Sequence, residues 1–578
     1  MSNIITIKNC KVVNEGQIEE KDILIKSGRF EKISNHVASE GEVIDAAGLF
    51  LFPGIIDDQC HFREPGLTEK GSIKTESLSA IAGGTTTFMD MPNVLPPTLN
   101  LDLWRDKIAI AEKTASANFS FYMGTSNSNI DEIKAIEPKE VCGIKIFMGS
   151  STGDLHVDSE EALDNLFKES PVIITTHCED DPMIKEMEKK FMAKYGEKIP
   201  VEMHAEIRSR EACIKSSKKA IGLATKHDAN LHILHLTTKE EIELFSNKPL
   251  NEKTITAEVC IPHLYFSKED YSTKGALIKC NPSIKEMSDR DALRKGLFEG
   301  FIDYVATDHA PHQLEGKSND YMDCPSGVPS VQHTMHILLE LVRDGVYSLN
   351  DLPYYLSHRV ADRFKIKDRG YIREGYWADC VLVDLEQAHT VTNANTNYFC
   401  GWSPFEGETF HSKIISTFVN GIHAYNEGKF LDVANEYRVE DVLQNGRGTA
   451  LSDIYYRGRL DILNGNWGGF HRAYVLKDDI FQDIAKPPFD KPSRIRTIIS
   501  ADLDNDGYDE VFLNNIGEPN KLFRILDNGL MEQIPLDVGL EPEGYGTGAA
   551  VADIDNDGVL ELLVSHGESW DQPLSLYK

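Results

Sequence analysis

No apolar run in the 578 residues approaches the ~20 needed to cross a bilayer as a helix. A helical membrane protein is thereby excluded. The N-terminus, MSNIITIKNCKVVNEGQ, has no basic region followed by an apolar stretch and a small-residue cleavage site, so a cytosolic chain is expected. Positive charge is scarce: 60 Lys and Arg stand against 92 Asp and Glu, a net charge of -32 that repels phosphate backbones and anionic lipid. Nucleic acid and membrane surfaces are not the expected partners. No Cys-x-x-Cys pair occurs among the ten cysteines, and none of the ten lies beyond residue 436. Scattered single cysteines read as reduced thiols rather than a disulfide framework.

What the chain does have is enough apolar residue, 41%, to build cores. Its length calls for two or three of them. Charge and cysteine content both change near residue 436. Residues 437–578 hold 13 basic and 25 acidic residues, a net -12 that leaves -20 for 1–436. A domain boundary is expected there.

Between Leu51 and His312 eight β-rich runs recur: LFPGIID, TTTFMDM, NFSFYMG, GIKIFM, PVIITTH, NLHILHL, TITAEVC and DYVATDH. Segments with helical apolar spacing, such as LWRDKIAIAEKTAS and RSREACIKSSKKAIGLATKH, separate them. Eight alternations predict an α/β fold, a (β/α)8 TIM-type barrel over 51–369, with an open doubly wound sheet as the alternative. Residues 1–50 and 370–436 are β-rich and predict a small flanking β-domain. Polar residues collect on the strand runs and just after them: Gln59, His61, Asn93, Lys145, His177, His235 and Asp308. In a barrel such positions converge at one mouth.

Taken singly, each histidine reads as a hydrogen-bonded core or surface residue, Lys145 as a snorkelling lysine and Asp308 as a helix cap. Together they offer imidazoles and carboxylates suited to zinc or another first-row divalent ion. Period-two geometry would place Asp57, Gln59 and His61 on one face of their strand. A lysine joins a metal site only without its charge, and carbon dioxide addition would turn Lys145 into a carbamate able to bridge two ions. GSSTG at 149–153 lacks the Lys-Ser or Lys-Thr of a phosphate-binding loop and reads as an ordinary loop.

FPGIIDDQCHFREPG at 52–66, MDMPN at 89–93, GIKIFM at 143–148, THCED at 176–180, LHILHL at 231–236, KCNPSI at 279–284 and ATDHAPH at 306–312 together resemble dihydroorotase, of the cyclic amidohydrolase superfamily. EGYWADCVLVD at 374–384, GWSPFEG at 401–407 and TFVNGIHAY at 417–425 extend the resemblance to roughly residues 1–435. It implies metal ligation by His61, carboxylated Lys145, His177, His235 and Asp308, with one or two zinc ions. It also implies that Arg63, Asn93 and His312 hold the substrate carboxylate and that Asn281 lines the pocket. A guanidinium grips a carboxylate in bidentate fashion, and dihydroorotate carries one. Where the family has His-x-His this chain has Gln59, a weaker neutral ligand, with Asp57 or water as the alternative donor.

On this resemblance the ion lowers the pKa of a bound water towards ~7 and polarises the ring carbonyl, while Asp308 acts as base and then acid. The ring amide of dihydroorotate opens reversibly to N-carbamoyl-aspartate, a step of pyrimidine biosynthesis. A hydantoinase- or allantoinase-like enzyme opening uncharged rings is one alternative, and a catalytically silent binding protein is another. The resemblance is compatible with a homodimer.

The tail repeats itself. Asp502, Asp504, Asp506 and Gly507 are followed at the ninth position by Glu510, and Asp553, Asp555, Asp557 and Gly558 by Glu561, 51 residues later. Alternating oxygen ligands with a glycine turn suit calcium. A degenerate copy, Asp453, Gly458 and Asp461, precedes them by 49 residues. An EF-hand needs a carboxylate at position twelve, where Leu513 and Val564 stand. Three units of this period resemble FG-GAP or VCBS repeats, an all-β, propeller-blade-like segment. Its expected role is structural, with protein or glycan binding as the sharper alternative.

Overall fold

The computed structural model describes residues 4–149, 155–430, 446–452, 454, 461–466, 470–477, 480–503, 508–515, 519–526, 528–534, 546–552, 561–566 and 575–577. It divides into two compact units, Asn3–Leu431 and Asp432–Lys578.

In the first unit, strands from both ends of the segment share one nine-stranded sheet. Phe50–Pro53 runs parallel to Ile4–Asn14 and antiparallel to Cys380–Asp384, with Leu51 opposite Leu382. Ile5, Ile7, Ile23, Ile25, Leu51, Leu382 and Phe418 form its buried core. The hairpin between Gln17–Lys26 and Arg29–Ser34 turns through Ser27 and Gly28, both at positive φ, as a two-residue turn of this hand requires. A Cβ on Gly28 would lie 2.8 Å from the Asn420 carbonyl, so a side chain is excluded there.

The next strands run parallel. Ile55–Cys60, Thr85–Asp90 and Asn118–Phe121 pair in that order, as do Met123–Gly124, Ile144–Phe147, Ile174–His177, Leu231–Ile233, Ile255–Cys260 and Tyr304–Ala306. Only Tyr122 separates Asn118–Phe121 from Met123–Gly124, so one strand position serves both sheets. A parallel bridge between Cys60 and His309 joins the remaining edges. The strands therefore close into a ring, unlike an open doubly wound sheet. The run LFPGIID, read as one strand, is shared: Phe50–Pro53 belongs to the flanking sheet and Ile55–Cys60 to the ring. Gly54 permits the crossing, since a Cβ there would sit 2.1 Å from Thr86 Oγ1.

Helices alternate with the ring strands and start where the sequence supplies side-chain caps. Ser72, Asn100, Ser159, Asp180 and Ser209 each accept a first-turn backbone N–H, opening Ile73–Ala82, Leu101–Thr114, Glu160–Glu169, Asp181–Tyr195 and Arg210–His227. Among the described residues no helix is long and apolar enough to cross a membrane.

Among the described residues the second unit holds three antiparallel sheets, of four strands between 446 and 483, four between 495 and 534 and three between 546 and 577. Asp461, Glu510 and Glu561 each open the second strand of their sheet, opposite Ser452, Ala501 and Ala552. Leu463, Val511, Leu513 and Phe523 share a buried core. The architecture is thus an α/β unit with additional β-sheets in the C-terminal region.

Candidate active site

Parallel strands put every C-terminal strand end on one side of the ring. His61 follows Ile55–Cys60, Asn93 follows Thr85–Asp90, His177 ends Ile174–His177, and His235 and Asp308 lie two residues past Ile233 and Ala306. Lys145 lies within Ile144–Phe147. Arg63, His235 and Asp308 have φ of 72°, 42° and 48°, a left-handed conformation that costs free energy for side-chain-bearing residues and concentrates at functional sites.

Asp308 Oδ1 accepts from Gln59 Nε2 at 3.1 Å, and His61 Nε2 lies 3.1 Å from the same oxygen. His61 Nδ1 is 2.8 Å from Asn93 Oδ1, which fixes its ring. Asn93 thus orients His61 through its amide oxygen, while its amide Nδ2 is the group that could donate to a carboxylate.

His177 and His235 meet edge-on, with Nδ1 of the first 2.9 Å from Nε2 of the second. The other nitrogen of His177 is 2.8 Å from Glu179, whose carboxylate also accepts from Arg208 at 2.9 Å. Burial holds both imidazoles below their ordinary pKa, so they are neutral and keep a lone pair for a cation. Nδ1 of His235 is buried without a hydrogen-bond partner. Lys145 is 1% exposed, and burial lowers its ammonium to about 8 against the opposing pull of Asp308 and Glu258. Neutral imidazoles, an acid and an amine easily freed of its proton fit a first-row divalent ion.

Arg63 is buried beside this group. Its Nε donates to the Pro311 carbonyl at 3.1 Å and its Nη2 lies 3.1 Å from His312 Nε2. Burial lowers the guanidinium to about 10 and holds His312 neutral. Trp402 Nε1 donates to the His312 carbonyl at 2.8 Å and fixes that loop. Among the described residues no carboxylate forms an ion pair with Arg63. Asn281 Oδ1 is buried and has no hydrogen-bond partner.

Asp57 departs from the period-two expectation. The register slips between Asp57 and Cys60, and the Asp57 carboxylate accepts from Thr307 Oγ1 at 2.5 Å and Cys60 Sγ at 3.1 Å. Its carboxylate is engaged by its own neighbours. Glu179 and Arg208 were not singled out from the sequence, although Glu179 lies two residues past His177 in THCED.

Sequence reasoning also missed Asp58, His232 and Glu258, whose ligand atoms all lie within 4.8 Å of one another. Burial raises Asp58 to about 7 and Glu258 well above the usual carboxylate range. His232 sits in LHILHL beside the expected His235, and nothing in that string separates their roles.

In the tail, Glu510 is buried, accepts from Leu503 N at 3.0 Å and lies 3.6 Å from Arg524 Nε. Asp502 directly follows the strand Ile495–Ala501. Asp504, Asp506, Asp553, Asp555 and Asp557 lie outside the described residues, as do Asp453, Gly458, the Glu561 side chain and residues 150–153 of GSSTG.

Residues 50–423 match the model of the amidohydrolase family, and 502–564 match an FG-GAP-like repeat. A dihydroorotase of Methanosarcina acetivorans is 32% identical over 417 residues, 70% of this chain and 88% of that protein. An allantoinase of Bacillus velezensis is 30% identical over 435 residues, 74% of this chain and 95% of that protein. The L-hydantoinase (dihydropyrimidinase) from Arthrobacter aurescens superposes with a TM-score of 0.71 at 25% identity, over 75% of this chain and 98% of that structure. With a family model spanning well over half of its length and these strands, strand ends and side chains in place, the chain belongs to the amidohydrolase family.

Proposed function

We propose that the chain is a metal-dependent dihydroorotase, opening the cyclic amide of dihydroorotate to N-carbamoyl-aspartate in both directions, on a (β/α)8 barrel flanked by a β-domain. The observation that carries this reading over allantoinase or hydantoinase is Arg63. A buried guanidinium with no carboxylate partner among the described residues calls for an anion from outside. Dihydroorotate brings one; the rings of hydantoin and allantoin are uncharged.

His61, His177, His235, Asp308 and Lys145 as its carbamate would hold one or two zinc ions, with Gln59 at the edge of the set. The bound ion supplies Lewis acidity, activating water and polarising the ring carbonyl. Asp308 takes a proton from the attacking water and returns it to the departing ring nitrogen. Gln59 fixes the oxygen of Asp308 that does so. Arg63 and His312 hold the substrate carboxylate, and Asn281 presents its unsatisfied Oδ1 to the pocket. Asn93 keeps the His61 ring in place, and Glu179 does the same for His177.

All ten cysteines are unpaired, which supports a reducing, cytosolic setting. In the tail, Asp502, Glu510 and their repeat equivalents bind calcium in loops whose role is structural, within propeller-blade-like units.

The test is turnover by the full chain with zinc, offered dihydroorotate, hydantoin and allantoin in parallel and followed by chromatography. Ring opening of dihydroorotate alone is expected. Turnover of the uncharged rings alone would make the chain a hydantoinase or allantoinase, and none at all would favour a silent binding protein.

A further inference from the structure

Three fully buried side chains meet inside the ring, nearer the N-terminal ends of its strands than the site described above. Asp58 precedes Gln59, and His232 comes three residues before His235. Glu258 stands on the neighbouring strand Ile255–Cys260. His232 Nε2 is 3.0 Å from Glu258 Oε2 and 3.8 Å from Asp58 Oδ2. Tyr304 donates its hydroxyl to that same Asp58 oxygen at 3.0 Å.

Each of the three is 0% exposed, and among the described residues no lysine or arginine forms an ion pair with either carboxylate. Asp58 Oδ1 has no hydrogen-bond partner at all. Glu258 Oε1 has only long contacts, from His235 N at 3.4 Å and Cys260 Sγ at 3.7 Å. The cluster is rich in acceptors and poor in donors, and buried carboxylates are normally paired or bound to metal. His232 Nδ1 lies 2.9 Å from Thr256 Oγ1, which in turn reaches the Leu231 carbonyl at 3.4 Å. That chain can take the Nδ1 proton and leave the Nε2 lone pair facing the carboxylates, the arrangement of a metal-ligating histidine with its outer partner.

We propose that Asp58, His232 and Glu258 form a further binding site for a first-row divalent cation, with the Tyr304 hydroxyl at its edge. One imidazole nitrogen and two carboxylate oxygens suit zinc or manganese. Ligands of a tetrahedral zinc stand ~3.4 Å apart, and the separations of 3.0 and 3.8 Å bracket that spacing. The site is closed to solvent and ties three ring strands together, so its role is structural. Occupancy of this site does not depend on which ring the enzyme opens.

The test uses the full chain purified from zinc-supplemented culture and dialysed exhaustively. Anomalous diffraction at the zinc edge on wild-type crystals is expected to show a peak between His232 Nε2, Glu258 and Asp58. Elemental analysis is expected to lose about one ion per chain in Glu258→Gln and in His232→Asn, whereas His61→Asn keeps that ion. No peak at this position, or a peak only in zinc-soaked crystals with no ion retained after dialysis, overturns the proposal in favour of carboxylates sharing a proton. Because the wild-type map needs no variant to fold, it decides the matter even where the substitutions destabilise the chain.

Discussion

Gln59 donates from Nε2 to Oδ1 of Asp308 across 3.1 Å. Its own Oε1 accepts from Cys260 Sγ at 3.3 Å. In the proposed site Gln59 would position Asp308 through Nε2 and would reach a metal only by releasing the contact of Oε1 with Cys260. Removing a hydrogen bond to a charged group costs about 1.5–3 kcal/mol. Gln59→Ala is therefore expected to lower kcat by about 10- to 100-fold, read in a steady-state assay; an unchanged kcat would mean that Asp308 needs no such support.

Asp308 carries the proton in the proposed chemistry. Asp308→Asn should reduce dihydroorotate turnover by at least about 10²–10⁴-fold while the circular dichroism spectrum stays that of the wild type. A well-folded, active variant would remove Asp308 from its role.

On the proposed reading Arg63 separates the charged from the uncharged substrate. Arg63→Met is expected to lower kcat/KM for dihydroorotate by about 100-fold or more, as one bidentate charge-assisted contact is lost. Any residual rate on hydantoin should be untouched. Equal losses on both substrates would show that Arg63 is needed for the fold of the loop and not for the carboxylate.

Burial pushes His204, His232, His235 and His336 well below their ordinary pKa of 6.5. A histidine depressed in the folded state takes up its proton on unfolding, so its contribution is complete above the unfolded value near ~6.5 and is lost as the pH falls. Each removes about 1.4 kcal/mol of stability per pH unit below that point. The carboxylates that are raised, Asp57, Asp58, Glu188, Glu241, Glu258, Asp303 and Asp379, act with the opposite sign but are outnumbered by the depressed histidines, which also include His177, His263, His312, His333, His358, His389, His423 and His471. The chelated protein should therefore melt at a clearly lower temperature at pH 5 than at pH 7 by calorimetry, and a flat Tm would contradict the buried neutral imidazoles.

A chain ending at residue 436 tests the independence of the tail. Residues 1–436 should remain soluble and keep the ring-opening activity, measured against the full chain. Loss of activity with an intact circular dichroism spectrum would tie the repeats to catalysis.

The strand runs were legible because a parallel strand buried on both faces is a short apolar block, and its polar interruptions stand out. LFPGIID shows the limit of such reading. Two strands of different sheets abut there without a turn signal that periodicity can detect, since Gly54 acts through its contact with Thr86, a residue 32 positions away. His61, Lys145, His177, His235 and Asp308 were visible through their place on the runs. Glu179 carries no visible role in THCED, because only folding brings Arg208 and His177 to it.

By itself the sequence determined the order of α and β elements, the acidic balance, the repeat of the tail and the side chains available for metal and carboxylate chemistry, since each of these is local along the chain. Tertiary structure alone decided which of the two adjacent aspartates faces which neighbours. The slipped register at Asp57 hands that carboxylate to Thr307 and turns Asp58 towards Tyr304 and His232, partners some 250 and 170 to 250 residues away. Alternation along a strand assigns faces only while the pairing keeps its register, and register is a property of two strands together.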